Sequence, residues 1–209
     1  ETPGATPAPR WDGKERLNVL LVGIDQRGDS TSFNTDTLIV ASVDPVNGTV
    51  TMFSIPRDTV DFPVPASAQR LYGATYGNKI NSYYASASRN PDVFPDGPMP
   101  ALREMLGNFY GMKIDYSLMV NFTGFQEIVD ALDGVRITAR NPVTDDSYPL
   151  GTGKYARIHV LAGVHAMDGA EALIFARSRH GSSDFDRAAR QQQVISAIRA
   201  QSDMAAITR

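Results

Sequence analysis

The chain contains no cysteine. That excludes disulfides, thiolate nucleophiles and cysteine-based zinc sites. No run of eighteen apolar residues occurs, so no segment of the sequence reads as a membrane span. Positive charge is scarce overall: Lys+Arg 20 against Asp+Glu 23 gives a formal net charge of -3. Such a balance argues against nucleic acid as the partner.

What is present is ordinary for a globular domain with a sizeable core: 209 residues, 42% hydrophobic and 21% charged. The charge is uneven. Residues 154–209 carry eight Lys+Arg against five Asp+Glu, so the last quarter is cationic while the rest is acidic. At the other end, residues 1–15 begin Pro-, Ala- and Thr-rich and read as an extended linker ahead of a domain spanning 16–209.

Apolar runs and turn residues predict strands over 16–25, 35–44 and 49–56, with an Asn47-Gly48 turn joining the last two. Helices are expected over 79–88, 101–110 (stopped by Gly111), 123–132, from about Gly169, and from about Ser183 into the 200s. Strands are expected over 116–122 and 135–139; residues 61–78 and 141–153 read as loops. This alternation predicts an α/β fold, a single domain with a central mixed sheet flanked by helices. Val19, Leu21, Leu38, Val40, Phe125, Ile128 and Val129 are its expected core.

Chemistry concentrates between Arg177 and Gln193, where four arginines, two aspartates and three glutamines share seventeen residues. A guanidinium offers a planar fork of donors that fits phosphate oxygens. If the last helix starts near Asp184, then Arg187, Gln191 and Ile198 share a face with Val194 or Ile195, and the apolar end of that stripe must face the core. Arg187 would then point inward near a helix N-terminus, which Ser182, Ser183 or Asp184 would cap. Arg177 and Arg179, two apart, would face the same way in extended chain. The competing reading is a structural salt-bridge cluster of Arg177 and Arg179 with Asp184 and Asp186. In the first half, Asp25, Asp36, Arg57 and Asp58 all fall at predicted strand ends, where loops build sites.

These motifs are Val22-Gly-Ile-Asp25, Thr35-Asp-Thr37, Ser54-Ile-Pro-Arg-Asp58, Lys79-Ile-Asn81, the stretch His165 to Arg179, and Asp184 to Gln193. In that order they resemble the LytR-CpsA-Psr family of cell-wall ligases, over about residues 16–201. The resemblance implies a bacterial phosphotransferase that moves a glycopolymer from an undecaprenyl-pyrophosphate carrier to peptidoglycan. It implies an apolar lipid-binding groove and an extracellular catalytic domain facing the cell wall, with a single-pass anchor in the cell membrane. On this resemblance Arg57, Arg177, Arg179, Asp184 and Arg187 form the catalytic set. Lys79, Arg190 and Gln191, with Arg27 and Asn34, bind substrate, and Asp25 and Asp36 hold Mg²⁺ (or Mn²⁺). A general base would be Asp36 or Asp184. One departure stands out: Asn34 occupies the position where the family usually has arginine, and Arg27 lies close enough in sequence to compensate. His180 reads as a surface histidine. A non-catalytic polyprenyl-phosphate-binding module, a polyprenyl pyrophosphatase and an adhesion domain are the alternative functions.

Overall fold

A computed structural model of the chain describes residues 11–25, 34–151, 153–179 and 183–207. Residues 1–10 of the expected linker, together with Arg27 and His180, lie outside the described residues. The fold is α/β with a mixed sheet, as expected, and the chain condenses into two compact units that meet in sequence at Val120 and Asn121.

The first unit is built on four strands in the order β3 (Thr49–Ser54), β2 (Thr35–Asp44), β1 (Leu17–Ile24) and β6 (Tyr116–Val120). Strand β1 (Leu17–Ile24) alternates strictly, burying Asn18, Leu20, Val22 and Ile24. Its other face keeps Val19 and Leu21 half-buried. Strand β2 (Thr35–Asp44) pairs antiparallel with β1, Leu20 opposite Val40 and Val22 opposite Leu38. The turn to β3 (Thr49–Ser54) is fixed by Asp44, whose carboxylate accepts from the backbone N–H of Val46 and Asn47 and from the Asn47 amide. These bonds, the Asn47 side chain first, hold the Asp44 carboxyl below the usual range.

Residues 61–78 are not all loop: β4 (Phe62–Pro63) pairs with β5 (Thr75–Tyr76), and α1 (Gln69–Tyr72) lies between them. Two-residue strands carry no periodicity, so sequence could not reveal them. Next come α2 (Tyr83–Ser88) and α3 (Pro98–Tyr110), the latter begun by proline in its first turn and ended by left-handed Gly111. Helix α3 buries Ala101, Leu102, Met105 and Leu106, which is helical spacing. With Leu20, Val22, Leu38, Val40, Ile80 and Tyr83 they form the core of this unit. Each Leu, Val, Ile and Met among them contributes roughly 1.5–3 kcal/mol on burial. Strand β6 (Tyr116–Val120) then runs parallel to β1, which makes the sheet mixed.

The second unit opens with α4 (Phe122–Asp130), capped by Asn121, whose side chain accepts from Gly124 N at 2.8 Å. Of its expected core residues Val129 is buried, Phe125 half-buried and Ile128 exposed. Strand β7 (Val135–Ala139) pairs antiparallel with β10 (Gly163–Met167). The segment expected to be a polar loop, 141–153, is instead mostly β8 (Val143–Gly151), paired with β9 (Lys154–Val160) in a two-stranded ribbon. Its Asp, Ser, Pro and Gly content mimics a turn, and its inward residues include Asp145, so the usual apolar alternation is missing.

Helix α5 (Gly169–Arg177) starts in a capping box made by Asp168 and Glu171. It packs so closely on α4 that a Cβ at Gly169 would lie 2.5 Å from the Gln126 carbonyl oxygen. Helix α6 (Asp184–Ile207) follows, burying Arg187, Arg190 and Val194. The second core joins Val129, Val135, Ile137, Ala139, Phe175 and Val194. No helix among the described residues is long and apolar enough to cross a membrane.

Candidate active site

In the first unit the expected site residues gather at one end of the sheet. Ile24 pairs with Thr35, which brings Asp25, just beyond β1, and Asp36, near the start of β2, to the same edge. Arg57 follows β3, and its Nη1 donates to Asp36 Oδ1 at 2.6 Å. Lys79 Nζ lies 3.0 Å from Asp58 Oδ1. The backbone stitches these groups together: Ile80 N donates to Thr59 O, Asn81 N donates to Arg57 O, and Thr35 Oγ1 donates to Asn81 O. The outcome is an alternating chain of charge, Asp36, Arg57, Asp58, Lys79. Arg57 Nε is buried without a hydrogen-bond partner and stands 3.9 Å from Asp58 Oδ2. Asn34 is exposed beside this edge.

In the second unit Arg177 is the last residue of α5, and Ser178 turns the chain from helix to extended backbone. The argument from extended spacing therefore does not apply to Arg177 and Arg179: the first is half-buried and the second exposed. The Arg177 guanidinium carbon sits 3.9 Å from the Phe122 ring centroid and 5.5 Å from that of Tyr148. Its Nη1 also donates to Tyr148 Oη at 3.0 Å. Cation–π contacts of this kind are worth about 0.5–2 kcal/mol and fix the plane of the donor fork. Arg179 is held through its backbone, its N–H donating to Asp145 Oδ2 at 2.9 Å.

Helix α6 begins as its sequence suggests. Ser183 Oγ accepts from Asp186 N and donates to the Asp186 carboxylate, which also accepts from Ser183 N. The Ser183 hydroxyl first, and its backbone N–H second, hold the Asp186 carboxyl below the usual range. Arg187, only 7% exposed, points inward as expected and pairs with Asp184 at 3.0 Å. Gln191 lies half-buried one turn on. Arg190 is equally buried, and it bonds the backbone: Nε donates to Phe175 O at 3.0 Å and Nη2 to Ser178 O. Burial is the main force lowering its pKa. Arg190 thus ties the end of α5, which otherwise leaves carbonyls unpaired, to α6.

Sequence reasoning missed Phe122, Asp145 and Tyr148. Asp145 stands in an Asp-Asp pair and Tyr148 precedes proline, both of which read as loop. The available signal was pairing demand: an arginine that turns inward must meet an acid or an aromatic face.

Among the described residues no group of three or more His, Asp or Glu stands together to hold a metal ion. Asp25 and Asp36, at neighbouring strand ends, offer two carboxylates. Magnesium commonly takes one or two protein carboxylates, completing its shell with substrate phosphates and water. The donor set fits that shared mode, and does not fit an all-protein cage.

The fold is mixed α/β, with Asp25 and Asp36 at a sheet edge of the first unit and the Arg177 and Arg187 side chains held in the second. The sequence matches the LytR_cpsA_psr family over residues 5–208, and the chain belongs to that family. Among its relatives is the polyisoprenyl-teichoic acid–peptidoglycan teichoic acid transferase TagU of Bacillus subtilis, 31% identical over 187 residues, 88% of this chain and 52% of that protein. The TagU of Halalkalibacterium halodurans is 30% identical over 191 residues, covering 90% of this chain and 54% of its own length. The chain thus spans about half the length of these relatives. Among solved structures, that of B. subtilis TagV is 28% identical with a TM-score of 0.68, over 90% of this chain and 65% of that one. The family protein YwtF (TagT), solved with bound octaprenyl pyrophosphate lipid, is 27% identical with a TM-score of 0.66, over 93% of this chain and 68% of that one.

Proposed function

We propose that this chain is the catalytic part of a transferase that moves a glycopolymer from a polyprenyl-pyrophosphate carrier to peptidoglycan. The observation that carries the reading is the Arg177 guanidinium held over the Phe122 ring and hydrogen-bonded to Tyr148, in a family with a lipid-pyrophosphate-bound member. Phosphoryl transfer gains most from positioning and charge neutralisation, and rigid guanidiniums supply both.

In the reaction an acceptor-sugar hydroxyl attacks the phosphorus that bears the glycan. A new P–O bond forms, the phosphoanhydride P–O bond to the carrier breaks, and polyprenyl phosphate leaves. The hydroxyl proton passes to a carboxylate, Asp36 or Asp184. Arg57, Arg177, Arg179 and Arg187 bind phosphate oxygens, while Lys79 and Gln191 take phosphate or sugar oxygens. Arg190, spent on two carbonyls, positions the Arg177–Arg179 segment from below. Asp25 and Asp36 would hold magnesium or manganese, and the ion would supply charge neutralisation for the phosphoryl transfer. The reaction would take place on the extracellular side of the cell membrane, facing the cell wall, where carrier and acceptor meet.

The test is incubation with a polyprenyl pyrophosphate and Mg²⁺, with and without EDTA, followed by assay of phosphate products, for wild type, Arg179→Ala and Asp36→Ala. Metal-dependent cleavage lost in both variants supports the reading, and an added acceptor glycan separates transfer from hydrolysis. Lipid binding without turnover would make the chain a carrier-binding module.

A further inference from the structure

Asp145 and Tyr148 lie three residues apart on β8. On a regular strand that odd spacing sends two side chains to opposite faces. Both are nevertheless buried, Asp145 to 1% exposure and Tyr148 to 4%. The register explains it: Asp145 pairs with Ile158 and Tyr148 with Ala156, so β8 uses one residue more than β9 between the two pairs. This is a β-bulge, a device that re-aims side chains and is common beside active sites. Asp145 ties the bulge itself, Oδ1 accepting from Ser147 N at 3.0 Å.

The two re-aimed residues hold one arginine each. Asp145 Oδ2 takes the backbone N–H of Arg179 at 2.9 Å. Tyr148 takes a hydrogen bond from Arg177 Nη1 at 3.0 Å and, with Phe122, flanks its guanidinium. One extra residue in one strand therefore sets the backbone of Arg179 and the side chain of Arg177.

We propose that this bulge is the positioning device of the Arg177–Ser178–Arg179 anion site, with Asp145 and Tyr148 as positioning residues that govern pyrophosphate affinity through the two arginines. The proposal rests on reading those arginines as pyrophosphate ligands. Binding an anion with a mobile side chain or loop loses affinity to the ordering of both, and groups fixed beforehand avoid that loss. Asp145 is suited to the task because a carboxylate can accept two backbone N–H bonds at once. An asparagine must present its NH₂ to one of them, which sets donor against donor.

The test measures binding of geranylgeranyl pyrophosphate by wild type, Asp145→Asn, Tyr148→Phe, Arg177→Ala and Arg179→Ala. The double variants Asp145→Asn/Arg179→Ala and Tyr148→Phe/Arg177→Ala complete two cycles, with thermal unfolding and Arg179 amide exchange followed in parallel. Each single substitution is expected to weaken binding about tenfold, the loss of one charge-assisted hydrogen bond. In each double variant the positioning substitution adds about twofold or less, since its arginine is already gone. Full additivity in both cycles, or wild-type binding by both positioning variants, overturns the proposal. If instead the arginine variants bind as wild type, the pyrophosphate reading fails, and amide exchange decides the device alone. Faster Arg179 exchange in Asp145→Asn supports it; unchanged exchange removes it. Should Asp145→Asn not fold, the Tyr148→Phe cycle carries the test.

Discussion

Arg57 donates from Nη1 to Asp36 Oδ1 at 2.6 Å while its Nε is buried without a hydrogen-bond partner. The pair is part-exposed, with side-chain exposures of 19% and 31%, so it is screened far more than an interior pair. Asp36→Ala leaves the guanidinium without this partner and is expected to cost about 1–2 kcal/mol, below the 3–5 of a fully buried pair. That is a fall in melting temperature of roughly 2–8 °C for a chain of this size. Asp36→Asn keeps the shape and should lose less stability, yet it removes the charge that pairs with Arg57 and that the proposed metal site would use. Turnover with a polyprenyl pyrophosphate should fall at least about a hundredfold, the loss of a carboxylate proposed to take the hydroxyl proton. A variant with full turnover would remove Asp36 from the chemistry.

Arg177→Lys preserves charge and should still fail. A lysine ammonium is a point charge on a flexible stem and cannot offer the guanidinium's planar fork, which contacts the Phe122 ring while donating to Tyr148 Oη. Titration with the carrier pyrophosphate should show affinity reduced about tenfold. Equal affinity would mean that only charge matters at this position.

Arg190→Ala should act through the fold. The change removes a buried side chain bonded to Phe175 O and Ser178 O and frees the end of α5. A loss of about 2–4 kcal/mol is expected, from two charge-assisted bonds and the packing they accompany. Denaturant unfolding measures it. Lipid affinity at temperatures where the variant remains folded should fall less than in Arg179→Ala.

The strands β1 to β3, helices α3 to α6 and the inward turn of Arg187 were all legible, because each follows from periodicity, a cap or a stop residue. Ser183 before Asp184-Phe-Asp186 is such a signal, and the bonds it predicts are present. The β8–β9 ribbon was not legible. Its inward positions hold Asp145 and Tyr148, and its bulge breaks the two-residue period that marks a strand. The burial of Arg190 was not legible for a related reason. Arginine is usually exposed, and nothing local in the sequence shows that two helix-terminal carbonyls await it. What stayed hidden depends on long-range pairing, and at this arginine segment long-range pairing sets the geometry.

The cap of α6 gives a prediction in pH. Asp186 titrates below the ordinary carboxylate value of 3.8 in the folded chain, chiefly because the Ser183 hydroxyl donates to it. A depressed folded pKa contributes stability that is present above the unfolded pKa and is lost as pH falls through the folded one. Ser183→Ala removes the cause. It should lower the melting temperature at pH 6, and the gap from wild type should narrow once pH drops below about 3.8, as the carboxylate gains its proton in both proteins. The gap should not close, because Ser183 Oγ also accepts from Asp186 N, a capping bond that needs no ionised carboxylate. Melting curves at intervals from pH 6 to pH 2 would check both parts. A gap independent of pH would mean that the hydroxyl serves the helix backbone alone, and that the Asp186 charge gains nothing from the cap.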